Sequence, residues 1–332
     1  MFPEQEQALA TIPAPNLEQP IEVLLRMGYP HDFSPSGVPT CVFGTTELGV
    51  VKRAAIAGET SLAEAHYHSD AVLITCSQWA KQGFLASGAC PERTIVVPLG
   101  IDPSLYHPLS PAERTALRRQ LGWDDFFIVL NVGGMGRNKG IPMLLAAIAI
   151  LAQQYPHIRL VLKGMDTLYP SERLIRDFAS ELPESEQQQL SQRLIYLGQT
   201  LSFADMARLY QAADAYVSPY FAEGFNLPVL EAIACGLPTI CTAGGATDDF
   251  TNDEVALRIA SHIQPVQVED SWGGVLVPDF EHLLTHLETL ITQPAVAAGL
   301  SQRGSHFVHQ HFTWHHTIVQ LLTVFQRLKA TR

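Results

Sequence analysis

Apolar residues along this chain follow two rhythms that take turns. Short continuous runs, "IEVLL" at 21–25, "VPTCVFG" at 38–44, "AVLIT" at 71–75 and "TIVVPLG" at 94–100, read as buried strands. Between them "SLAEAHYHSD" and "SQWAKQGFLASG" carry helical spacing, the second ending at Gly88. A Pro- and Gly-rich stretch, 100–111, interrupts the pattern, which then restarts. Strands are expected at 126–134, 158–164, 194–198, 215–219 and 238–245. The helix at 141–155 places Ile141, Leu144, Leu145, Ile148 and Leu151 on one face. Another opens at Ser202, with Asp205 in capping-box spacing, and a third occupies 227–236. Helices at 280–292 and 306–329 close the chain. Strands alternating with helices predict α/β architecture with parallel sheets. The expected organisation is a loose leader at 1–20, a first domain at 21–108 with about four strands, and a second domain at 112–305. The helix at 306–329 is expected to cross back to the first domain.

Composition narrows the function. The 332 residues are 47% hydrophobic and 16% charged, a globular balance long enough for two domains. A net charge of −12 argues against a nucleic-acid partner, which would need clustered Lys and Arg. The five cysteines are odd in number and form no C-x-x-C, which suits reduced thiols in a cytoplasmic protein. No secretory pattern opens the chain, and no apolar run reaches the roughly 18 residues that a membrane span requires. Peripheral contact with a membrane stays open.

Most strands of the second half end in glycine: "NVGG", "LKG", "YLG" and "TAGG". In open α/β sheets ligands collect beyond the carboxyl ends of the strands, where the next helix directs its free N–H groups at an anion. "AEGFNLPVLEAIACGLPTI", 222–240, sets Glu223 in a loop and Glu231 one turn into a helix. Asn226 is expected to cap that helix, Pro228 to fill its first turn and Gly236 to stop it. Glu231 can accept two hydroxyl hydrogen bonds from a ribose, amides near 225–227 can meet a phosphate, and Glu223 lies where an attached sugar would be. On spacing alone, a dipole-stabilised helix acid and a solvated loop acid remain the alternative. The loop "NVGGMGRNKGI", 131–141, fits neither Walker A nor G-x-G-x-x-G, but offers Gly133, Gly134 and Lys139 near a helix start. Lys163 ends a strand on the same edge. Glu47 in "FGTTELG" follows a first-domain strand and is the candidate acid or base there. The histidines of "HFVHQHFTWHH" include His311 and His315 four apart, yet carry no interleaved carboxylate, so no metal site is expected.

"VPLGID", "NVGGMGRNKGI", "LIYLGQTLSFADMARLYQAADAYVSPY", "EGFNLPVLEAIACGLPTI" and "AGG", in that order over most of 95–250, carry a family resemblance. The chain resembles the retaining GT-B nucleotide-sugar glycosyltransferases with an E-x7-E motif, the group 1 glycosyl transferases. The resemblance implies two Rossmann-like domains facing a cleft and transfer of a sugar from a nucleoside diphosphate to an acceptor hydroxyl, with retention. It implies no cofactor and no required metal. It assigns ribose binding to Glu231, donor-sugar contact to Glu223, sugar and phosphate contacts to Gly224, Phe225, Asn226 and Leu227, and diphosphate pairing to Lys139. Three departures stand out. Gly134 occupies the usual Arg position, with Arg137 nearby but out of register; Asn226 replaces the usual Gly; and the first domain is shortened, by roughly the half-domain expected before residue 21. A non-catalytic GT-B binding protein and a nucleotide-sugar 2-epimerase are the rival readings.

Overall fold

The computed structural model describes Thr11 and residues 20–330; the expected leader at 1–20 lies almost wholly outside them. Two parallel sheets organise the chain. The first contains β1 (Leu24–Met27), β2 (Thr40–Phe43), β3 (Val72–Thr75) and β4 (Thr94–Val96), in the order β1-β2-β3-β4. β1 lies a few residues beyond the apolar run at 21–25: its register pairs Leu24 with Thr40 and Met27 with Phe43. Helix α1 (Leu62–Tyr67) and α2 (Gln78–Ala86) connect these strands, each capped by a serine hydroxyl, Ser61 and Ser77.

The second sheet contains β5 (Phe127–Val132), β6 (Ile158–Lys163), β7 (Leu194–Leu197), β8 (Ala215–Ser218), β9 (Thr239–Thr242) and β10 (Leu257–Ile259). Their spatial order is β10-β9-β8-β5-β6-β7. The order reverses between β5 and β8, and ligands in doubly wound folds bind at such a reversal. Helices α3 (Pro111–Leu121), α4 (Ile141–Gln154), α5 (Ser171–Ser180), α6 (Glu184–Ser191), α7 (Phe203–Ala212), α8 (Leu227–Ala234) and α9 (Phe280–Thr292) surround it. The predicted apolar face of α4 is wholly buried. Each such aliphatic side chain contributes about 1.5–3 kcal/mol.

Several elements were not expected from the periodicity. Helix α3 begins at a complete capping box, Ser110 with Glu113, and its Arg114 and Arg118 both bind Asp214 at the start of β8, at 2.7 and 2.8 Å. A two-stranded antiparallel ribbon, β11 (Ser261–Val268) with β12 (Ser271–Pro278), stands off the second sheet. The expected single helix at 306–329 is two: α10 (Pro294–His311) and α11 (Trp314–Ala330). The break falls at Thr313, whose hydroxyl meets His316 Nδ1 at 2.8 Å and so competes with helix continuation. His311 and His315 therefore lie on different helices, and among the described residues no His, Cys, Asp or Glu group could hold a metal. α11 does cross back: Leu321, Val324, Phe325 and Leu328 cover Cys41, Val72, Ile74 and Val97 of the first sheet. All five cysteines are free.

Candidate active site

The loops after β5 and β8, on the two sides of the strand reversal, are bonded to each other. The amides of Phe221 and Ala222 donate to the carbonyl of Asn138 at 2.8 and 3.2 Å. Gly140 ends the short turn Arg137–Lys139 at φ +73°, and a Cβ there would strike the carbonyl oxygen of Pro219. Only glycine fits that position, which sets Lys139 beside the β8 loop. Lys139 Nζ then lies 2.5 Å from Glu223 Oε1. Glu223 is 8% exposed. Burial raises its pKa above the ordinary carboxylate value, Lys139 opposes that shift, and Glu47 adds to it.

Loops of the first sheet cover this pair. Asn138 Nδ2 reaches Glu47 Oε2 at 3.4 Å, so Glu47 and Glu223 approach Asn138–Lys139 from opposite sheets. Ser77 Oγ donates to the Gly224 carbonyl at 2.6 Å, and a Cβ on Gly224 would collide with Thr45 Oγ1. Gly224 thus permits the close approach of the two halves.

Asn226 departs from its expected role. It precedes α8 in the left-handed region, φ 70° and ψ 59°, and makes no side-chain cap; its Nδ2 donates instead to Ser218 Oγ at 3.0 Å. That backbone geometry is why glycine and asparagine interchange here. In the first turn of α8, Pro228 has no N–H and the Val229 amide donates to the Asn226 carbonyl at 3.0 Å, which leaves the Leu227 amide to face a ligand. Phe225 packs its ring on Phe250 at 5.0 Å between centroids, so only its backbone remains for a ligand. Leu227 opens α8, with Pro228 next.

Glu231 points from the opposite flank into a cleft of about 280 Å³ that it shares with Gly133, Gly134 and Lys163. Tyr210 donates to Glu231 Oε2 at 2.8 Å. Burial nevertheless raises Glu231 to about 7, against the lowering effect of hydrogen bonds from Tyr210 and Tyr106. Lys163 is buried, its ammonium donates to the Gly164 carbonyl, and burial lowers its pKa. Gly134 lies beside the ring of Tyr169, which a Cβ there would meet at 3.4 Å. Arg137 does not compensate: it pairs with Glu181 and stacks on Phe178 at 4.7 Å.

The site therefore gathers Glu223, Lys139, Glu47 and the Gly224–Leu227 backbone at the crevice, with Glu231, Lys163, Gly133 and Gly134 in the adjoining cleft. Sequence reasoning missed Tyr106 and Tyr169, which sit in irregular segments with no periodic signal. Tyr210 and Ser77 also enter the site, through their bonds to Glu231 and to the Gly224 carbonyl.

Two Rossmann-like sheets facing across such a crevice define the GT-B architecture. Residues 127–293 match the family described as Glycosyl transferases group 1, and the chain belongs to that family. It is 30% identical over 264 residues to the D-inositol 3-phosphate glycosyltransferase of Mycolicibacterium paratuberculosis, covering 78% of this chain and 53% of that protein. It is 28% identical over 232 residues to the mannosylfructose-phosphate synthase of Agrobacterium fabrum, covering 70% and 47%. The chain spans about half the length of the curated relatives it matches. Among solved structures, Anabaena HepE in complex with UDP and glucose superimposes with a TM-score of 0.69 at 19% identity, over 87% of this chain and 72% of that one. Sucrose-phosphate synthase from Thermosynechococcus elongatus gives 0.64 at 26% identity, over 81% and 61%.

Proposed function

We propose that this chain is a retaining glycosyltransferase that takes a sugar from a nucleoside diphosphate and passes it to an acceptor hydroxyl. The observation that carries the reading is the Lys139–Glu223 pair at the strand reversal, with Glu231 at one side and Glu47 across the crevice. The ribose hydroxyls would bond to Glu231. The diphosphate would meet Lys139 and the Leu227 amide at the start of α8, whose dipole favours an anion. The sugar would then lie at Glu223, and the acceptor would approach from the side of Glu47.

Negative charge grows on the diphosphate as the glycosidic bond breaks. Prearranged donors at that point are each worth about 3–4 kcal/mol of transition-state stabilisation. The Lys139 ammonium and the dipole and leading amide of α8 would supply that stabilisation, so turnover is expected to persist with a chelator present. Contact of Ser77 and Thr45 with the Gly224 loop would exclude water from the transfer.

Nucleoside diphosphates should raise the melting temperature, because a ligand bound only by the native state stabilises it. Glu231→Ala should abolish that rise; an undiminished rise would show the ribose assignment to be wrong. Incubation with a nucleotide sugar, with and without acceptors, separates the classes. Acceptor-dependent product marks a transferase, isomerised donor alone an epimerase, and binding without product a non-catalytic protein.

A further inference from the structure

The cleft next to Glu231 has an unusual composition. Its walls are mainly apolar, with Met165, Leu168, Tyr169, Leu201, Phe203 and Met206 among them. Three of these stand at its mouth with large exposed surfaces: Leu168 at 70%, Tyr169 at 54% and Phe203 at 55%. Large apolar side chains left in water at a cleft mouth suit a flat aromatic ring that covers them. Inside the same cleft is one cation, Lys163, only 3% exposed. Its ammonium has three donors but only one hydrogen-bond partner among the described residues, the carbonyl of Gly164.

Among the described residues no carboxylate bonds it, although the charge of Asp166 favours the ammonium from a distance. Asp166, the nearest acid by its effect on Lys163, is occupied by the Tyr196 hydroxyl at 2.8 Å and the Glu172 amide at 3.1 Å. Among the described residues no ion pair includes Lys163. A buried ammonium with spare donors calls for an oxygen acceptor. Glu231 follows β8 and Lys163 ends β6, with β5 between them. Both line one cleft, so a nucleoside whose ribose meets Glu231 would direct its base along the apolar wall towards Lys163.

We infer that Lys163 is a specificity-determining residue that selects a nucleobase with a carbonyl oxygen on its far edge. This rests on the donor reading above and adds the class of base. Uracil and guanine present an oxygen at that edge; cytosine and adenine present an amine there. An amine would set donor against donor and leave the ammonium unpaired, the arrangement by which buried polar groups reject close analogues.

Titration calorimetry with UDP, CDP, GDP and ADP tests this on the whole chain. UDP should bind more tightly than CDP, or GDP more tightly than ADP, by roughly ten-fold or more, the range of a hydrogen bond to a charged group. Which pair binds distinguishes the small ring from the large one. Lys163→Met should remove the preference by weakening the favoured diphosphate and sparing its amine-bearing counterpart. Equal binding of oxygen- and amine-bearing bases by the unaltered protein overturns the inference while the donor site stands; this comparison requires no variant to fold. A preference that survives Lys163→Met in a variant with an unchanged melting profile also overturns it. If none of the four binds at millimolar concentration, the donor reading falls and the base assignment falls with it.

Discussion

Lys139 and Glu223 sit 2.5 Å apart in a place where neither has much access to water. Removing one partner from such a pair costs more than the pair itself contributes, because a charge is left buried alone. Lys139→Met should therefore destabilise the protein by about 3 kcal/mol at pH 8. The loss should be smaller in acid than at pH 8, because burial favours the protonated carboxyl of Glu223. Adding Glu223→Gln should recover most of it. Urea denaturation in acid and at pH 8 measures all three effects. Glu231 titrates near 7 in the folded chain, well above its ordinary 4.5. The folded form thus keeps a proton that the unfolded chain releases, so this group's contribution to stability falls as pH rises from about 4.5 to about 7. Ligand binding runs the other way, since two ribose hydroxyls need the ionised carboxylate. Affinity for a nucleotide sugar, whose diphosphate diester stays ionised throughout, should improve about three- to ten-fold between pH 6 and pH 8. Glu231→Gln should flatten that dependence in a calorimetric titration.

Helix α8 joins the crevice to its cleft, and its entry depends on one backbone conformation. Asn226 at φ 70° lies where an L-residue with a Cβ is strained. Asn226→Ala should cost about 1–2 kcal/mol, from strain and from the lost bond to Ser218. Asn226→Gly should cost less, and comparing the two denaturation midpoints isolates the conformational part. The order "EGFNLP" announced a loop followed by a helix, and α8, with Glu231 one turn in, appears as expected. What could not be seen was that Asn226 turns its side chain to Ser218 rather than to the helix, because only β8 determines where that hydroxyl stands. The long strands β5 and β6 and the helix α4 were legible through their uninterrupted apolar faces. Helix α3 was not: its mostly polar surface hides the periodicity, although Ser110, Pro111 and Glu113 spell its cap. The ribbon β11–β12 alternates weakly and carries Pro265, so its pairing emerges only from the register. Lys139 could be named from its glycine loop, and Glu223 and Glu231 from the family resemblance rather than from spacing; that Glu47 faces the same point needed both sheets in place.

The two halves meet at more than the crevice loops. The ribbon reaches the first sheet's loop: the Gly274 amide donates to the Leu48 carbonyl at 2.8 Å, and a Cβ on Gly273 would strike the same oxygen. Glu269 at its tip accepts from the Arg53 amide at 2.9 Å. Gly273→Val should wedge this contact open. Small-angle scattering should then show a larger radius of gyration, and calorimetry a nucleoside diphosphate affinity within about two-fold of the unaltered chain, since the cleft is lined by the second half and by Tyr106 of the connecting segment, none of it from the first sheet. Any transfer rate should fall, because Glu47 would be withdrawn from Glu223.

Helix α11 carries a last consequence, for the order in which the molecule can be completed. It packs Leu321, Val324, Phe325 and Leu328 over one face of the first sheet, having been delivered there by the seam where the Ile101 amide donates to the Phe312 carbonyl and the Trp314 amide to the Ile101 carbonyl. The four strands that leave the ribosome early must therefore wait, one face bare, until this segment emerges after the entire second sheet. Until then they offer greasy surface to chaperones and to one another.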